Sequence, residues 1–514
     1  MFPGVHAATT PDKIAVVMAG SGRSLTYREL DDASAALAKA WHDLGLRPGD
    51  VVAMFSDNAL ECLTVYWAAL RSGLYITAIN RHLAPAESAY IVTDSGAKVL
   101  MASAGIAAQA EAIRALLPEV SHAFAFGGEI AGYGSMEELI AAAGSERLAD
   151  QPRGADMLYS SGTTGRPKGI KPPLLGIQVD QPGDPITGLA GMAFKLGPED
   201  VYLSPAPVYH AAPLKWCSAV HAYGGTVVMM EKFGAAELLS AVERFGVTVT
   251  QVVPTMFVRM LQLPEDQRRS YDVSSLRLAI HAAAPCPPEV KDAMIDWLGP
   301  ILVEYYSSTE ANGLTLITTP EWQAHRGSVG RSMLGPAHIC DDDGNELEVG
   351  EVGTVYFERE VRPFEYHNDP EKTKEAEHPV HSSWTTVGDL GRLDEDGYLY
   401  LTDRKAFMII SGGVNIYPQE VEDVLIMHPA VHDVAVVGLP DPEMGEQVKA
   451  VVQVRPGVET SDALAAELIE YVRERVAHYK APRTLDFVDD LPRTPTGKLL
   501  KRTIVDTYLS AAAR

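Results

Sequence analysis

The sequence contains few cysteines, and their spacing does not suggest that they pair. Four occur in 514 residues, Cys62, Cys217, Cys286 and Cys340, and no two of them form a Cys-x-x-Cys motif. Such scattered thiols predict neither a zinc site nor a disulfide framework. They indicate a reducing compartment, and we expect the protein to be cytoplasmic.

Positive charge and long apolar runs are also scarce. Lysine and arginine number 43 against 68 aspartates and glutamates, for a formal net charge of -25. This balance argues against nucleic acid or an anionic membrane surface as a partner. No apolar run approaches the roughly 18 residues of a membrane span, and residues 1–20 lack the pattern of a signal peptide. We expect partners that are small molecules, and any polyanionic ligand must be held by local groups.

What the sequence does contain is a regular alternation of helix and strand patterns. With 514 residues, 46% of them apolar, the chain exceeds what one hydrophobic core usually accommodates. Residues 24–130 and 235–284 alternate amphipathic helices with short apolar strands, which predicts an α/β fold of helix-covered sheets. From residue 384 short strands and turns replace this alternation, and a small α+β domain is predicted to follow.

The stretch YSSGTTGRPKG, residues 159–169, is suited to holding a polyphosphate. Its glycines allow close backbone approach, its hydroxyls are hydrogen-bond donors, and consecutive amides can form an anion-binding concavity. Pro167 precedes the lysine, so this is not a Walker P-loop that opens a helix, and we expect a loop between strands. By composition alone, a mobile surface loop is about equally probable. The candidate phosphate-contacting residues are Ser160, Ser161, Gly162, Thr163, Thr164, Gly165 and Lys168.

The order of residues in this loop resembles the phosphate loop of the adenylate-forming superfamily. That superfamily contains acyl-CoA and aryl-CoA ligases, the adenylation domains of peptide synthetases, and beetle luciferases. Four further stretches resemble it: LAIHAAAPCP, EYYSSTEANG, TTVGDLG together with LTDRK, and LPRTPTGKLLKR. With the phosphate loop they extend over nearly the whole chain. The resemblance implies a large N-terminal domain, residues 1–404, and a small, mobile C-terminal domain, residues 405–514.

The resemblance also implies roles for individual residues around ATP. Tyr306 would stack on adenine and Thr309 would meet the phosphates. Glu310 would bind Mg²⁺, which prefers hard carboxylate oxygens. Asp389 and Arg404 would contact the ribose. The remaining residues of the set, Ala283, Ala284 and Pro285, would border adenine and the acid.

Lys498 matches the superfamily's catalytic lysine, which bridges the attacking carboxylate and the α-phosphate. A positioned cation is needed there because two anions approach each other and charge builds on the phosphoryl oxygens. By itself, a lysine so close to the end of the chain would more often be exposed to solvent. The chain departs from the family pattern at Ser307 and at Ala283 and Ala284, where family members often carry glycine, and at Val387, where threonine is more common.

The implied reaction is activation of a carboxylic acid by MgATP to an acyl-adenylate, followed by acyl transfer. Coenzyme A is the expected acceptor, with Gly412 and Gly413 lining the pantetheine path, and Ala406 is at the expected hinge of the small domain. An amine acceptor, and hence an amide synthetase, is the alternative, and a carrier-protein thiol is a third choice. A luciferase-like oxygenation and a non-catalytic nucleotide-binding protein are remote alternatives.

The acid pocket is predicted from the segment PAPVYHAAPLKW, which offers a histidine between two strand-like segments, where acyl- and aryl-CoA ligases carry an aromatic residue or histidine. Amino-acid-activating relatives place an aspartate in their pocket, so an uncharged tail is implied here. The candidate pocket residues are His210, Trp216, Met256, Phe257, Ala283 and Ser307, several of which would serve equally well as core. The extra methyl groups favour an aromatic, heteroaromatic or short-to-medium acid over a very long chain.

Overall fold

Strands and helices alternate through most of the chain, as predicted. The computed structural model describes residues 1–160, 167–412, 414–493 and 499–512. The strands are β1 Ile14–Met18, β2 Ser24–Thr26, β3 Val51–Phe55, β4 Tyr75–Ile79, β5 Ala97–Ser103, β6 His122–Phe126, β7 Gly134–Ser135, β8 Ala155–Asp156, β9 Leu158–Ser160, β10 Lys168–Lys171, β11 Val201–Ser204, β12 Thr226–Met229, β13 Val249–Val252, β14 Leu278–His281, β15 Leu302–Ser307, β16 Leu314–Thr318, β17 Arg331–Ser332, β18 Ala337–Cys340, β19 Gly353–Glu358, β20 Glu365–Tyr366, β21 Trp384–Thr385, β22 Asp389–Leu393, β23 Leu399–Arg404, β24 Ile409–Ser411, β25 Val414–Ile416, β26 Val431–Asp441, β27 Gly445–Val454 and β28 Thr484–Phe487.

Helices cover these strands on both sides of the larger sheets. They are α1 Pro3–Thr9, α2 Tyr27–Asp43, α3 Leu60–Leu70, α4 Pro85–Asp94, α5 Ala107–Arg114, α6 Met136–Ala143, α7 Pro185–Phe194, α8 Ala211–Ala222, α9 Ala235–Phe245, α10 Pro254–Leu261, α11 Glu265–Arg269, α12 Pro288–Leu298, α13 Thr319–Ala324, α14 Pro370–Glu375, α15 Pro418–Leu425, α16 Asp462–Arg473 and α17 Lys501–Ala512. Among the described residues, no helix is both long and apolar enough to cross a membrane.

Two large sheets form the core of the first part of the chain. One has nine strands in the order β17-β16-β15-β14-β13-β11-β12-β1-β2, and the other has six in the order β7-β6-β5-β3-β4-β8. Strands β3 and β4 are buried along their whole length, because parallel strands covered by helices on both faces need apolar residues at every position. The α/β class predicted from the alternating patterns is therefore confirmed.

Three smaller sheets carry the predicted phosphate loop, the predicted ribose contacts and the C-terminal part of the chain. Strand β10 lies between β20 and β9 in a three-stranded sheet, and β18-β19-β22-β23 form another sheet with β21 beside β19. Beyond Arg404, β25-β24-β27-β26 form a separate sheet with β28 beside β27, and α15 and α16 pack near it around a core of their own. A small α+β unit therefore follows the large one; the division at residue 404 stays a prediction.

Local sequence explains where individual elements begin. Helix α2 starts at a capping box, in which the Thr26 side chain accepts from the Glu29 backbone N–H and the Glu29 carboxylate accepts from the Thr26 backbone N–H. This arrangement satisfies two of the donors that a helix N-terminus leaves unpaired. It also marks the boundary between β2, which ends at Thr26, and α2.

A buried ion pair joins helix α12 to strand β15, which leads to the candidate site. On neighbouring parallel strands, His281 of β14 is the register partner of Glu304 of β15. Lys291 of α12 reaches the Glu304 carboxylate at 2.7 Å, with 1% of its side chain exposed. Burial raises the pKa of Glu304 while Lys291 opposes that rise, and burial lowers the pKa of His281. The Lys291–Glu304 ion pair therefore joins α12 to β15, the strand that carries Tyr306.

Replacing Lys291 by Met should destabilise the protein by about 3–5 kcal/mol, because it leaves the Glu304 carboxylate buried without its cation. Lys98→Met is the matched control, since Lys98 pairs with Asp50 at 2.8 Å with 52% of its side chain exposed. The control should cost about 0–1 kcal/mol. Denaturant unfolding followed by tryptophan fluorescence compares the two, and equal losses would contradict the role given to the buried pair.

Candidate functional site

The predicted phosphate loop does connect two strands. Strands β9 and β10 are antiparallel, with Ser160 opposite Lys168 in the register. Strand β10 pairs on its other edge with β20, where Ile170 lies opposite Tyr366. Ser160 and Lys168 are thus the described ends of the loop, while Ser161, Gly162, Thr163, Thr164 and Gly165 lie outside the described residues. Burial, followed by the nearby Lys372, lowers the pKa of Lys168.

Three predicted nucleotide contacts meet at one point. Asp389 begins β22 and Arg404 ends β23, and the two are register partners in an antiparallel pair. Arg404 Nε lies 3.0 Å from Asp389 Oδ1, and the Tyr306 hydroxyl donates to Asp389 Oδ2 at 2.5 Å. Burial and the Asp389 carboxylate raise the pKa of Tyr306 well above its usual range, so its hydroxyl remains a donor. The ring, the carboxylate and the guanidinium form one hydrogen-bonded cluster.

The predicted metal ligand lies beside this cluster with a partner of its own. The Tyr366 hydroxyl donates to Glu310 Oε1 at 2.9 Å, and Lys168 Nζ lies 5.8 Å from the centroid of the Tyr366 ring. Burial would lower the pKa of Arg404, but Asp389, Tyr306 and Glu310 together raise it. The Arg404 guanidinium and the Glu310 carboxylate are therefore within electrostatic reach of each other. Among the described residues, no group of three metal-ligating side chains occurs.

The backbone is strained at the edge of the site. Ala283, just after β14, has φ +75°, and Ala311, in the turn after Glu310, has φ +51°. Non-glycine residues rarely adopt positive φ, and such strain gathers at ligand-binding sites. Ala284 and Pro285 continue the same segment. Because β14 and β15 are parallel, this segment and Tyr306 leave the sheet at the same edge. Thr309 lies in the loop after β15.

The predicted acid-pocket residues divide between two sides of these strand ends. Trp216 of α8 packs against Phe194 and Tyr202 and donates from its indole nitrogen to Tyr305 Oη at 3.4 Å. Met256 and Phe257 belong to α10, with 4% and 1% of their surface exposed. The Phe257 ring stands edge-on to His281, at 5.3 Å between centroids. Their part in acid binding stays a prediction.

One part of the acid-pocket prediction is wrong. His210 does not lie between two strands: it is the N-cap residue of α8, and residues 211–222 after it are helical. Helix α8 contains Pro213 near its N-terminus. It occupies the first turn of the helix, where proline is tolerated because the backbone N–H has no intrahelical acceptor. The His210 and Tyr209 rings are 4.6 Å apart.

The Ser307 side chain forms a hydrogen bond close to its own position in the chain. Its hydroxyl donates to the carbonyl of Gly313 at 2.7 Å, across the loop that contains Thr309 and Glu310. Serine in place of glycine therefore fastens the ends of this loop together. This bond accounts for the hydroxyl without any contact to an acid substrate.

The predicted acceptor and hinge residues lie at the start of the small unit. Gly412 has φ +59° in the β24–β25 turn, and a Cβ there would approach Met444 Cε at 2.5 Å. Ala406 is exposed in a short 3-10 turn, Lys405–Phe407, between β23 and β24, and so is not a strand residue. Gly413 and Lys498 lie outside the described residues.

Sequence reasoning missed Tyr366. The only local signal was the turn sequence Asn368-Asp369-Pro370 shortly after it, where Asp369 caps α14. Nothing local indicates its contact with Glu310, 56 residues away.

Comparison with known proteins finds two matching families, similar sequences and similar solved structures. Residues 5–360 match the family described as AMP-binding enzyme, and residues 420–498 match the family described as AMP-binding enzyme C-terminal domain. A feruloyl-CoA synthase from Amycolatopsis sp is 34% identical over 509 residues, covering 97% of each chain. The long-chain-fatty-acid–CoA ligase FadD13 of Mycobacterium tuberculosis is 31% identical over 511 residues, covering 98% of this chain and 97% of the ligase. The solved structure of the amide bond synthetase McbA from Marinactinospora thermotolerans superposes with TM-score 0.81 at 26% identity, covering 98% of this chain and 99% of the synthetase.

Asp389→Asn should weaken ATP binding about tenfold, because a hydrogen bond to a charged acceptor is worth roughly 1.5–3 kcal/mol. Asp486→Asn is the matched control: that carboxylate also accepts from a tyrosine hydroxyl, Tyr508 at 2.8 Å, and pairs with Lys449 at 2.9 Å, but it belongs to the small unit. Isothermal titration calorimetry measures both affinities. Unchanged ATP affinity in Asp389→Asn would contradict the assignment of Asp389 as a nucleotide contact.

Proposed function

Since the chain belongs to the AMP-binding enzyme family, we propose that it is an AMP-forming carboxylate ligase: it activates a carboxylic acid with ATP to an acyl-adenylate and transfers the acyl group to coenzyme A. The observation that carries the proposal is the joining of Tyr306, Asp389 and Arg404 in one hydrogen-bonded cluster. A flat ring, a buried carboxylate and a guanidinium are the groups that a base and a ribose with its attached phosphate require.

Mg²⁺ is the metal that we propose, and Glu310 is the residue that would hold it. The residues present fit this ion. Mg²⁺ keeps most of its waters and is usually bound by one or two carboxylates together with substrate phosphates. Among the described residues, Glu310 Oε1 accepts from the neutral Tyr366 hydroxyl, and Oε2 would be the atom for the ion. When bound, the ion would neutralise charge on the phosphates.

The chain's own residues would carry the first half-reaction by bringing two anions together. An oxygen of the acid carboxylate attacks the α-phosphorus, the bond from that phosphorus to the bridging oxygen breaks, and pyrophosphate leaves. Lys498 would approach both the carboxylate and the α-phosphate, reducing the repulsion between them. Lys168, whose pKa is lowered chiefly by burial, lies at the end of the phosphate loop.

In the second half-reaction a thiol of coenzyme A attacks the acyl carbonyl, AMP leaves, and the thiol proton passes to solvent. We propose that residues 1–404 and 405–514 are the two moving parts, that Ala406 is their hinge, and that Gly412 and Gly413 border the path of the thiol. Exposure of Ala406 in a short turn between two sheets supports this, because few contacts would have to break.

The acid is proposed to be aromatic or of short to medium length. The feruloyl-CoA synthase supports an aryl acid, whereas the long-chain ligase is a relative of the opposite preference. Trp216 and Phe257 pack in the cores beside the strand ends, and their place in an acid pocket is part of this proposal. The amide bond synthetase with TM-score 0.81 is the observation that favours an amine as the second candidate acceptor.

Lys498→Ala tests the activation step. Adenylate formation, measured as acid-dependent pyrophosphate release, should fall about 100-fold, since one positioned group that stabilises transition-state charge is typically worth that much. Thioester formation from synthetic acyl-adenylate should remain near the unsubstituted rate. Equal loss in both assays would contradict the role assigned to the lysine.

A panel of acids, each incubated with ATP and either coenzyme A or a simple amine, tests substrate and acceptor together. An apolar pocket discriminates by only about 1–3 kcal/mol per methylene, so several aryl and medium-chain acids should react at graded rates. Mass spectrometry of the products should show thioesters. Amides without thioesters would establish the amide synthetase instead, and highest efficiency with long-chain fatty acids would overturn the pocket interpretation.

A further inference from the structure

We propose that Tyr366 is a positioning residue that holds the Glu310 carboxylate and couples it to the phosphate loop. This inference rests on the proposed function, in which Glu310 is the metal ligand. Tyr366 would act without contacting ATP itself, through the placement of one carboxylate oxygen.

The Tyr366 hydroxyl is a fixed donor because the ring that carries it is packed. The residue is 8% exposed, in a small cluster with Ile170, Phe364 and Ala376. The Phe364 ring stands edge-on to it at 5.2 Å between centroids. Its backbone N–H donates to the Thr373 side-chain oxygen at 2.9 Å, which ties strand β20 to α14. The 2.9 Å bond to Glu310 therefore starts from a ring with little rotational freedom.

The same residue is joined to the phosphate loop. Strand β20 pairs with β10, so Tyr366 and Ile170 are register partners, and β10 begins at Lys168, the last candidate phosphate contact of the loop. Lys168 Nζ lies 5.8 Å from the ring centroid of Tyr366. Because β20 pairs with β10, the donor that orients Glu310 and the strand that begins at Lys168 belong to one sheet. Tyr366 thus connects the element predicted to hold the phosphates with the carboxylate predicted to hold their metal.

A neutral donor suits this position better than a cation would. A tyrosine hydroxyl has an ordinary pKa of about 10 and is therefore an uncharged donor in the neutral range. A lysine or arginine in its place would orient the carboxylate but would also neutralise the charge that attracts a metal ion. A tyrosine hydroxyl orients Glu310 Oε1 and leaves the carboxylate its negative charge.

Tyr366→Phe removes the hydroxyl and keeps the ring in its cluster. Mn²⁺, read by electron paramagnetic resonance, is the metal probe, with α,β-methylene-ATP as the nucleotide because its α–β linkage is not cleaved. Metal affinity of the nucleotide complex should fall about tenfold, as expected for one hydrogen bond to a charged group. Nucleotide affinity in EDTA should stay unchanged. In pyrophosphate exchange the Mg²⁺ concentration for half-maximal rate should rise by a similar factor.

Tyr400→Phe is the matched control, since Tyr400 donates to Asp394 Oδ2 at 3.1 Å on the same large unit. It should leave metal affinity within about twofold. The decisive comparison uses Glu310→Gln, alone and with Tyr366→Phe. If Tyr366 acts through Glu310, adding Tyr366→Phe to Glu310→Gln should produce no further loss.

The outcomes separate the two proposals. Glu310→Gln with unchanged metal affinity would overturn the metal role under the proposed function. If Glu310→Gln lowers metal affinity but Tyr366→Phe changes it no more than Tyr400→Phe does, the positioning role alone would be overturned. The positioning role would also be overturned if the double variant lost metal affinity by the product of the two single-variant losses. Tyr366 would then act independently of Glu310.

Discussion

Each of the two carboxylates at the candidate site is held by a tyrosine hydroxyl, and the rest of the site is arranged around these pairs. Tyr306 donates to Asp389 at 2.5 Å, and Tyr366 donates to Glu310 at 2.9 Å. A site for a polyphosphate in a chain of net charge -25 must place carboxylates where they contact ligand or metal without repelling the phosphates. Neutral donors fix their orientation and leave the Glu310 carboxylate its charge, while Arg404 pairs with Asp389 at 3.0 Å.

These pairs form only if separate elements meet in register. Tyr306 and Ser307 end β15, whose position relative to β14 is set by parallel pairing and by the Lys291–Glu304 ion pair beneath. Asp389 and Arg404 are opposite each other because β22 and β23 are antiparallel. The site therefore depends on strand register as well as on loops, because Lys168, Tyr306, Tyr366, Asp389 and Arg404 lie on the five strands β10, β15, β20, β22 and β23, while Glu310 lies in a loop.

The sequence predicted the parts that depend on local pattern. The α/β class and the loop between β9 and β10 followed from residues close together in the chain. The nucleotide cluster was predicted only through resemblance, since nothing in Asp389 or Tyr306 alone indicates that they touch. The Tyr366–Glu310 bond escaped prediction because it joins residues 56 positions apart across two sheets. The helix after His210 escaped it because that helix is buried almost all round, so its apolar residues show no amphipathic spacing.

Gly412 shows where a glycine does and does not carry a functional argument. Resemblance assigned it to an acceptor path that a side chain would obstruct. The structure supplies a local cause, since φ is +59° at Gly412, whose N–H donates to the Met444 carbonyl at 2.8 Å. The positive φ therefore favours glycine in this turn whether or not a thiol passes. The choice between coenzyme A and an amine must accordingly depend on products, because the fold of this hairpin would be the same for both.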